Sequence, residues 1–443
     1  MTVVLDSALT SKGVADALNR LAYKDADYWE FKQSSERDGV HGLMQYPAMM
    51  VPKMQGVVID TLLAISPHIR NVCDPFVGAG TTLVECISRG LNFSGFDINP
   101  LAILLCTGKS QRFASRSFEG KVGDALARLA ADSRKTVDVR FPGREKWFSS
   151  RASVELSRIR RSVIAEPDKW ARQIMWTVFA ETIRKTSNAR TSTYKLHIRS
   201  LEQQDVAPLP SAIFSLELQR AVEKLAFHEE YLCKKGLLTR GVYSGKVNLS
   251  CRDIRSVSEG QKFDLVITSP PYGDNRSTVA YGQFSYLALN WIPREDLDGD
   301  ASLYSSAYAT DSKSLGGSWV DADRKSAVLL SISQSYAKYQ CLLAKQRRKD
   351  LEAKVASFMY DFFDALTSIS RQTMSGGYHV WTLGDRTVGG ISVPFTEICR
   401  EMQESLGLKH VTTVTRNIPS KRTPSRNSEG KTMSMERLLV MRK

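Results

Sequence analysis

Thr268-Ser269-Pro270-Pro271-Tyr272 directly follows the apolar run FDLVI (263–267). Two prolines fix the backbone and remove two N–H donors. The Ser269 hydroxyl and the Pro270 carbonyl are then held as rigid acceptors. An exocyclic amine offers two donors, so a pocket that recognises one needs acceptors of this kind. Hydrogen bonds to them draw the amine towards tetrahedral geometry and free its lone pair for attack on a methyl group. Tyr272 offers a ring face against which a flipped base can stack.

A second segment, DPFVGAGTT (74–82), reads as a loop between a strand and a helix. Gly78 and Gly80 permit positive φ and close approach of a ligand to the backbone. Thr81 and Thr82 are candidate helix caps, and such a start directs N–H groups at a ligand. DPFVGAGTT itself carries no GK[ST], which argues against a nucleoside-triphosphate loop. The pattern is not the GxGxxG of dinucleotide enzymes either, although the loop alone leaves a dinucleotide and S-adenosylmethionine both open. Asp97 closes the next strand about 20 residues on, where an acid accepts hydrogen bonds from ribose hydroxyls.

These residues need a frame that presents them together. The order strand (to Cys73), Gly loop, helix closed by Gly90, strand ending at Asp97 and helix from Pro100 is the first half of a doubly wound sheet. VNLSC (247–251) and FDLVIT (263–268) resume it, the second as a buried parallel strand. VASFMYDFFDALTSIS (355–370) reads as an amphipathic helix and GGYHVWTLGD (376–385) as a turn and strand. HVTTVTRNI and ERLLVMRK, joined by a polar basic loop, read as an antiparallel hairpin at one sheet edge. Residues 115–245, with helical spacing in ASVELSRIRRSVI and WARQIMWTVFAETIRK, are too long for a loop and read as a helical insertion. The N-terminal 40 residues read as helical, anchored by Trp29 and Phe31, and the apolar spacing after Pro52 predicts another helix. The organisation expected is 1–114 as the N-terminal region and first half of the main domain, 115–245 as the insertion, and 246–443 as the second half.

The motifs together resemble those of S-adenosylmethionine-dependent DNA amino-methyltransferases. TSPPY looks like that family's [Asp/Asn/Ser]-Pro-Pro-[Tyr/Phe/Trp] signature, and DPFVGAGTT like its cofactor loop. HGLMQYPAMMVP (41–52) looks like the cofactor-contacting element before the loop, which brings in Tyr46 and Pro47. GFDIN resembles the element with the ribose acid, adding Ile98 beside Asp97. CRDIRS resembles the segment whose acid approaches the cofactor adenine, here Asp253, with Asp124 as runner-up. The resemblance covers roughly 41–110 and 248–443. It implies Ser269, Pro270, Pro271 and Tyr272 as catalytic residues. The cofactor-binding set it implies is Tyr46, Pro47, Asp74, Phe76, Gly78, Gly80, Thr81, Thr82, Asp97, Ile98 and Asp253. The expected fold is α/β: a doubly wound, mostly parallel methyltransferase sheet with an antiparallel C-terminal hairpin and a large helical insertion that houses target recognition.

The implied reaction is methyl transfer from S-adenosylmethionine to an exocyclic amine of a flipped base in double-stranded DNA. SPPY is the commoner form among cytosine-N4 enzymes and DPPY among adenine-N6 enzymes, so cytosine N4 leads and adenine N6 is the runner-up. An RNA methyltransferase and an inactive DNA-binding subunit are the further alternatives. Carbon-5 methylation needs a thiolate, and no Pro-Cys motif is present.

Composition agrees with a polyanionic partner. The 443 residues carry a net charge of +14. Residues 138–199 hold 14 Lys/Arg against 6 Asp/Glu, and 416–443 hold 8 against 2. Candidate DNA contacts are Arg184, Lys185, Arg190, Lys195, Lys421 and Arg422. Arg158 and Arg161, one turn apart, read as a solvated helix face. The seven Cys are scattered without CxxC pairs and the six His show no metal spacing, so no metal site is expected. Reduced thiols and the absence of a signal sequence or apolar span point to a cytoplasmic protein without a membrane. A cognate restriction endonuclease is a candidate partner, and the sequence is silent on oligomeric state.

Overall fold

The computed structural model describes residues 2–25, 27–32, 38–205, 208–257, 260–275, 277–418 and 434–443. Its frame is a seven-stranded sheet: β1 (Asn71–Asp74), β2 (Asn92–Asp97), β3 (Val247–Cys251), β4 (Phe263–Thr268), β5 (Thr373–Leu383), β6 (Lys409–Asn417) and β7 (Met435–Arg442). The spatial order is β6-β7-β5-β4-β1-β2-β3. Every strand is parallel to the others except β7, which runs antiparallel to both neighbours. The fold is thus α/β and doubly wound, as the strand and loop pattern predicts.

The C-terminal pair is the antiparallel hairpin expected at one sheet edge, and its second strand is the inner one. β7 inserts between β5 and β6, and only β6 lies at the edge. Burial explains the choice. Leu438, Leu439, Val440 and Met441 are all buried, so β7 needs cover on both faces. β6 instead alternates between buried and exposed positions along its second half, as an edge strand does.

Helices cover both faces. Helices Thr2–Lys24, Pro52–Ile65 and Thr81–Ile87 pack Leu18, Val58, Leu62 and Leu83 onto Val72, Phe93, Val380 and Val440. On the opposite face, Lys349–Gln372 and Phe395–Ser405 pack Phe358, Phe362 and Ile398 onto Val266, Trp381 and Leu439. Pro52 stands in the first turn of its helix, where its missing N–H costs nothing.

Residues 115–245 are helical, with principal helices Ser115–Ala131, Ser150–Ile164, Lys169–Thr186 and Pro210–Lys234, and close with a two-residue-per-strand hairpin. They do not stand apart. Trp176, Phe179, Leu156 and Phe214 share one core with Leu101, Leu105 and Trp291, so this layer rests on helices Pro100–Ser110 and Tyr281–Trp291. Trp147, Phe148 and Trp176 are buried there as core residues. Arg172 grips the buried Asp296 through two bonds at 2.9 and 2.8 Å, and Trp176 adds a third at 2.7 Å, fixing the segment after Trp291 to the layer.

Candidate active site at the switch point of the sheet

From β1 the sheet grows outward through β2 and β3, and from β4 through β5. The loops leaving these two adjacent strands therefore diverge and open a crevice at their carboxyl ends. A cleft lies there, lined from one side by Phe76, Gly78 and Thr81 and from the other by Ser269 and Pro271. Tyr46, Pro47, Asp97, Ile98 and Asp253 also line it.

The Gly loop is held by its own neighbourhood. Gly78 (φ +47°) and Gly80 (φ +73°) are both left-handed. Only Gly78 lines the cleft. A Cβ on Gly80 would stand 2.8 Å from Cys106 Sγ, so this glycine serves packing rather than ligand approach. The expected threonine caps are absent. Gly80 itself is the N-cap, without a side-chain bond, so both threonines fall inside the first turn; Thr81 lines the cleft and Thr82 is buried behind it.

Asp97 Oδ2 accepts from Gly78 N at 3.0 Å and Oδ1 from Asn99 N at 2.8 Å. Burial pushes this carboxyl up to about 6, against the pull of its backbone donors. Asp74 does not line the cleft. It braces the two loops from beneath, accepting from Thr268 Oγ1 at 2.5 Å and Phe76 N at 3.1 Å, and burial raises it to about 6 as well.

Asn99 Nδ2 donates to Tyr46 Oη at 3.0 Å and to Ser285 Oγ at 2.7 Å, fixing the aromatic wall. Tyr46 stacks on Tyr281 at 5.9 Å and meets Phe284 edge-on. Sequence reasoning missed this pair and also Lys109. The Lys109 ammonium is buried and donates to Ala79 O of the Gly loop at 2.6 Å; burial lowers its pKa to about 8. No motif marks it, because it sits at the end of an apolar helix.

The second loop is held from far along the chain. Ser269 and Pro271 face the cleft, while Pro270 and Tyr272 do not line it. Tyr272 packs on the core below Ser269, and its hydroxyl lies 3.1 Å from Ser269 Oγ and 3.2 Å from Glu436 Oε1. Burial, first, and the Glu436 charge hold the phenol well above its usual range. Gly273 is pressed against Arg386, where a Cβ would overlap the guanidinium. Asp274 lies 3.5 Å from both Lys354 and Arg386. Asn275 is buried on the cleft wall and its Oδ1 has no hydrogen-bond partner among the described residues. Asn275 follows the Ser-Pro-Pro-Tyr motif by three positions, the one signal that pointed to it.

Asp253 lines the cleft but is clamped by Arg255 at 2.6 Å, which also reaches Asp361 at 3.1 Å. Asp124, its runner-up, is exposed on helix Ser115–Ala131 and does not line the cleft. Arg184, Arg190 and Lys195 gather at a second pocket with Tyr194 and Phe284, next to the aromatic wall. Arg184 is spent on Glu181, and Lys185 on Glu181 and Glu217. Arg161 is paired with Asp132 and Asp138 and is not a bare solvated face. In the C-terminal segment Arg416 pairs with Glu436 and Arg437 with Asp385, so part of its charge holds the fold. Lys421 and Arg422 lie outside the described residues.

Two loops thus face one cleft, one held by Asp97 and the other carrying Ser-Pro-Pro-Tyr. The chain is similar to Type II methyltransferases. It is 28% identical over 432 residues to the Type II methyltransferase M.MvaI of Kocuria varians, covering 93% of this chain and 91% of that protein. It is 26% identical over 148 residues to the Type II methyltransferase M.MjaII of Methanocaldococcus jannaschii, covering 32% of this chain and 27% of that protein. No protein-family model matches the chain. Among the described residues no helix is long and apolar enough to cross a membrane, and no three His, Cys, Asp or Glu side chains gather as metal ligands. All seven cysteines are free thiols.

The cleft fits S-adenosylmethionine. Asp97 presents a carboxylate at a left-handed glycine, the aromatic and proline wall suits an adenosyl group, and Asn275 Oδ1, without a partner among the described residues, is an acceptor on the same wall.

Proposed function

We propose that the protein is a DNA methyltransferase of the Type II class, acting on an exocyclic amine of a base flipped out of double-stranded DNA. The amine is N4 of cytosine, with N6 of adenine as the runner-up, and S-adenosylmethionine supplies the methyl group as an activated sulfonium. The observation that carries the reading is the single cleft shared by Asp97, Gly78 and Ser269. Asp97 and the wall around Tyr46 orient the donor. The Ser269 hydroxyl accepts an amine N–H and holds the lone pair in line, while Pro270, set back from the cleft, stiffens the loop behind it. The preference for cytosine rests on serine, not aspartate, at the first motif position. Arg190 and Lys195 at the second pocket are the proposed DNA contacts, and residues 115–245 the proposed recognition layer.

The test is to supply labelled S-adenosylmethionine with unmodified duplex DNA or with transcribed tRNA, then identify the modified nucleoside by mass. N4-methylcytosine in DNA is the expected product. N6-methyladenine would move the target to the runner-up, and label in tRNA alone would overturn the DNA reading.

A further inference from the structure

Methyl transfer to an amine forms an N–C bond while the S–C bond breaks and its electron pair stays on sulfur. The nitrogen is left with one proton too many, which a neighbouring group must take up. The topology places a hydroxyl and a carboxylate behind Ser269. Because β7 is reversed, its first residues lie at the carboxyl edge of the parallel strands, beside the loop after β4. Glu436, its second residue, faces Tyr272 there. Arg416, at the end of β6, is its direct register partner and lies 3.2 Å from Glu436 Oε2, an ion pair without hydrogen-bond alignment.

The carboxylate fixes the direction of the whole chain. It can only accept, so the Tyr272 hydroxyl donates to Glu436. The Tyr272 oxygen is then free to accept from the Ser269 hydroxyl. Ser269 in turn keeps its lone pairs for an amine N–H in the cleft. The 3.1 and 3.2 Å separations are at the long end of the range, as catalytic contacts commonly are before substrate binds.

We propose that Ser269, Tyr272 and Glu436 form a proton relay that removes the excess proton from the methylated amine. The proton passes from nitrogen to Ser269 Oγ as the Ser269 proton moves to Tyr272 Oη and the Tyr272 proton moves to Glu436 Oε1. One N–H bond breaks, one O–H bond forms on the carboxylate, and serine and tyrosine end as they began. The Glu436 side chain is 19% exposed, so it returns the proton to solvent. Glu436 and Arg416 are positioning residues that act through Tyr272. The relay rests on the reading of Ser269 as the amine acceptor.

The test compares wild type with Ser269→Ala, Tyr272→Phe, Glu436→Gln and the Tyr272→Phe/Glu436→Gln double variant. Single-turnover methyl transfer is measured on a duplex carrying the methylated site found by sequencing. Equilibrium affinities for that duplex and for S-adenosylhomocysteine are measured alongside. Tyr272→Phe keeps the ring and leaves the Glu436–Arg416 pair intact, so it guards against a misfolded Glu436→Gln. Each single relay variant should slow transfer by about 100-fold, the lower end of what a positioned base contributes. The double variant should be no slower than the slower single, since both cut one chain. Both affinities should stay within about twofold of wild type, and the solvent isotope effect of the wild type should vanish in Tyr272→Phe. Multiplying losses, wild-type rates in both singles, or a rate loss matched by an equal affinity loss would overturn the relay. Wild-type transfer by Ser269→Ala would remove the reading of Ser269 and the relay with it. Loss in Ser269→Ala with wild-type rates in Tyr272→Phe and Glu436→Gln would remove the relay alone.

Discussion

The loops after β1 and β4 face the same cleft but are held in opposite ways. Gly78 is fixed by Asp97, 19 residues on, and Ala79 by Lys109, 30 residues on. Tyr272 is fixed by Glu436, 164 residues away, and Asp274 faces Arg386, 112 residues away. The half of the site proposed to hold the donor is a local construction within one strand-helix-strand unit. The half proposed to hold the acceptor amine depends on the last strands of the sheet. A lesion in β6 or β7 should therefore harm chemistry before donor binding, and a lesion near the Gly loop the reverse.

Ser269→Ala should give the largest single effect, lowering methyl transfer by about 10²–10³, the range for losing one preorganised polar contact to a transition state. Affinity for S-adenosylmethionine, measured by calorimetry, should remain near wild type. A parallel loss of donor affinity would erase the division between the two loops. Tyr272→Ala would confuse the matter, because Tyr272 also packs against the core.

Within the donor half the two glycines should separate. Gly80→Val meets both a positive φ and Cys106 Sγ at 2.8 Å, whereas a Cβ on Gly78 finds only ordinary contact with Tyr46 at 3.6 Å. Backbone strain costs about 1–3 kcal/mol in each, and overpacking adds about 1–3 kcal/mol for Gly80→Val alone. Thermal unfolding should show the larger drop for Gly80→Val, and calorimetry the larger loss of donor affinity for Gly78→Val. Equal melting temperatures would contradict the packing role of Gly80.

Asp97 should make donor binding depend on pH. Burial raises it from 3.8 to about 6, so the ligand-free carboxyl is largely protonated below that value. A ribose-binding carboxylate favours the deprotonated form. Affinity should rise with pH through about 6 and level off above it, by at most about tenfold per pH unit below 6. The sign for folding is opposite: the raised value means that stability falls as pH climbs from about 4 to about 6. Asp97→Asn should weaken binding and flatten its pH dependence. Asp74 titrates in the same range but does not line the cleft, so it should not restore the slope. A slope unchanged in Asp97→Asn would assign it elsewhere.

The smallest effects belong to the helical layer. Arg190→Ala and Lys195→Ala should each weaken duplex binding equally on cognate and random sequences, reducing the salt dependence by about one unit per phosphate contact. Arg184 and Lys185, already paired with carboxylates, should change it less. Wild-type salt slopes in all four variants would take DNA binding away from the second pocket.

The sequence by itself determined the sheet, the Gly loop, Asp97 and Ser-Pro-Pro-Tyr, because each is written over a few consecutive residues. Glycine conformation, proline geometry and apolar runs act locally and need no distant partner. Even the inner position of β7 is foreshadowed by the unbroken apolar run Leu438–Met441 beside the alternating β6. Tertiary structure alone decided which charges were spent. Arg161, Arg172, Arg184 and Arg416 read as basic surface in the sequence, yet each meets a carboxylate from another segment or turn. It alone brought Asn275, Tyr281 and Lys109 to the cleft and its loop, and Glu436 behind Ser269. Such pairings follow from strand order and from the reversal of β7. Strand order is a long-range choice, set by how two-sided burial is satisfied across the whole sheet, and no short window of residues records it.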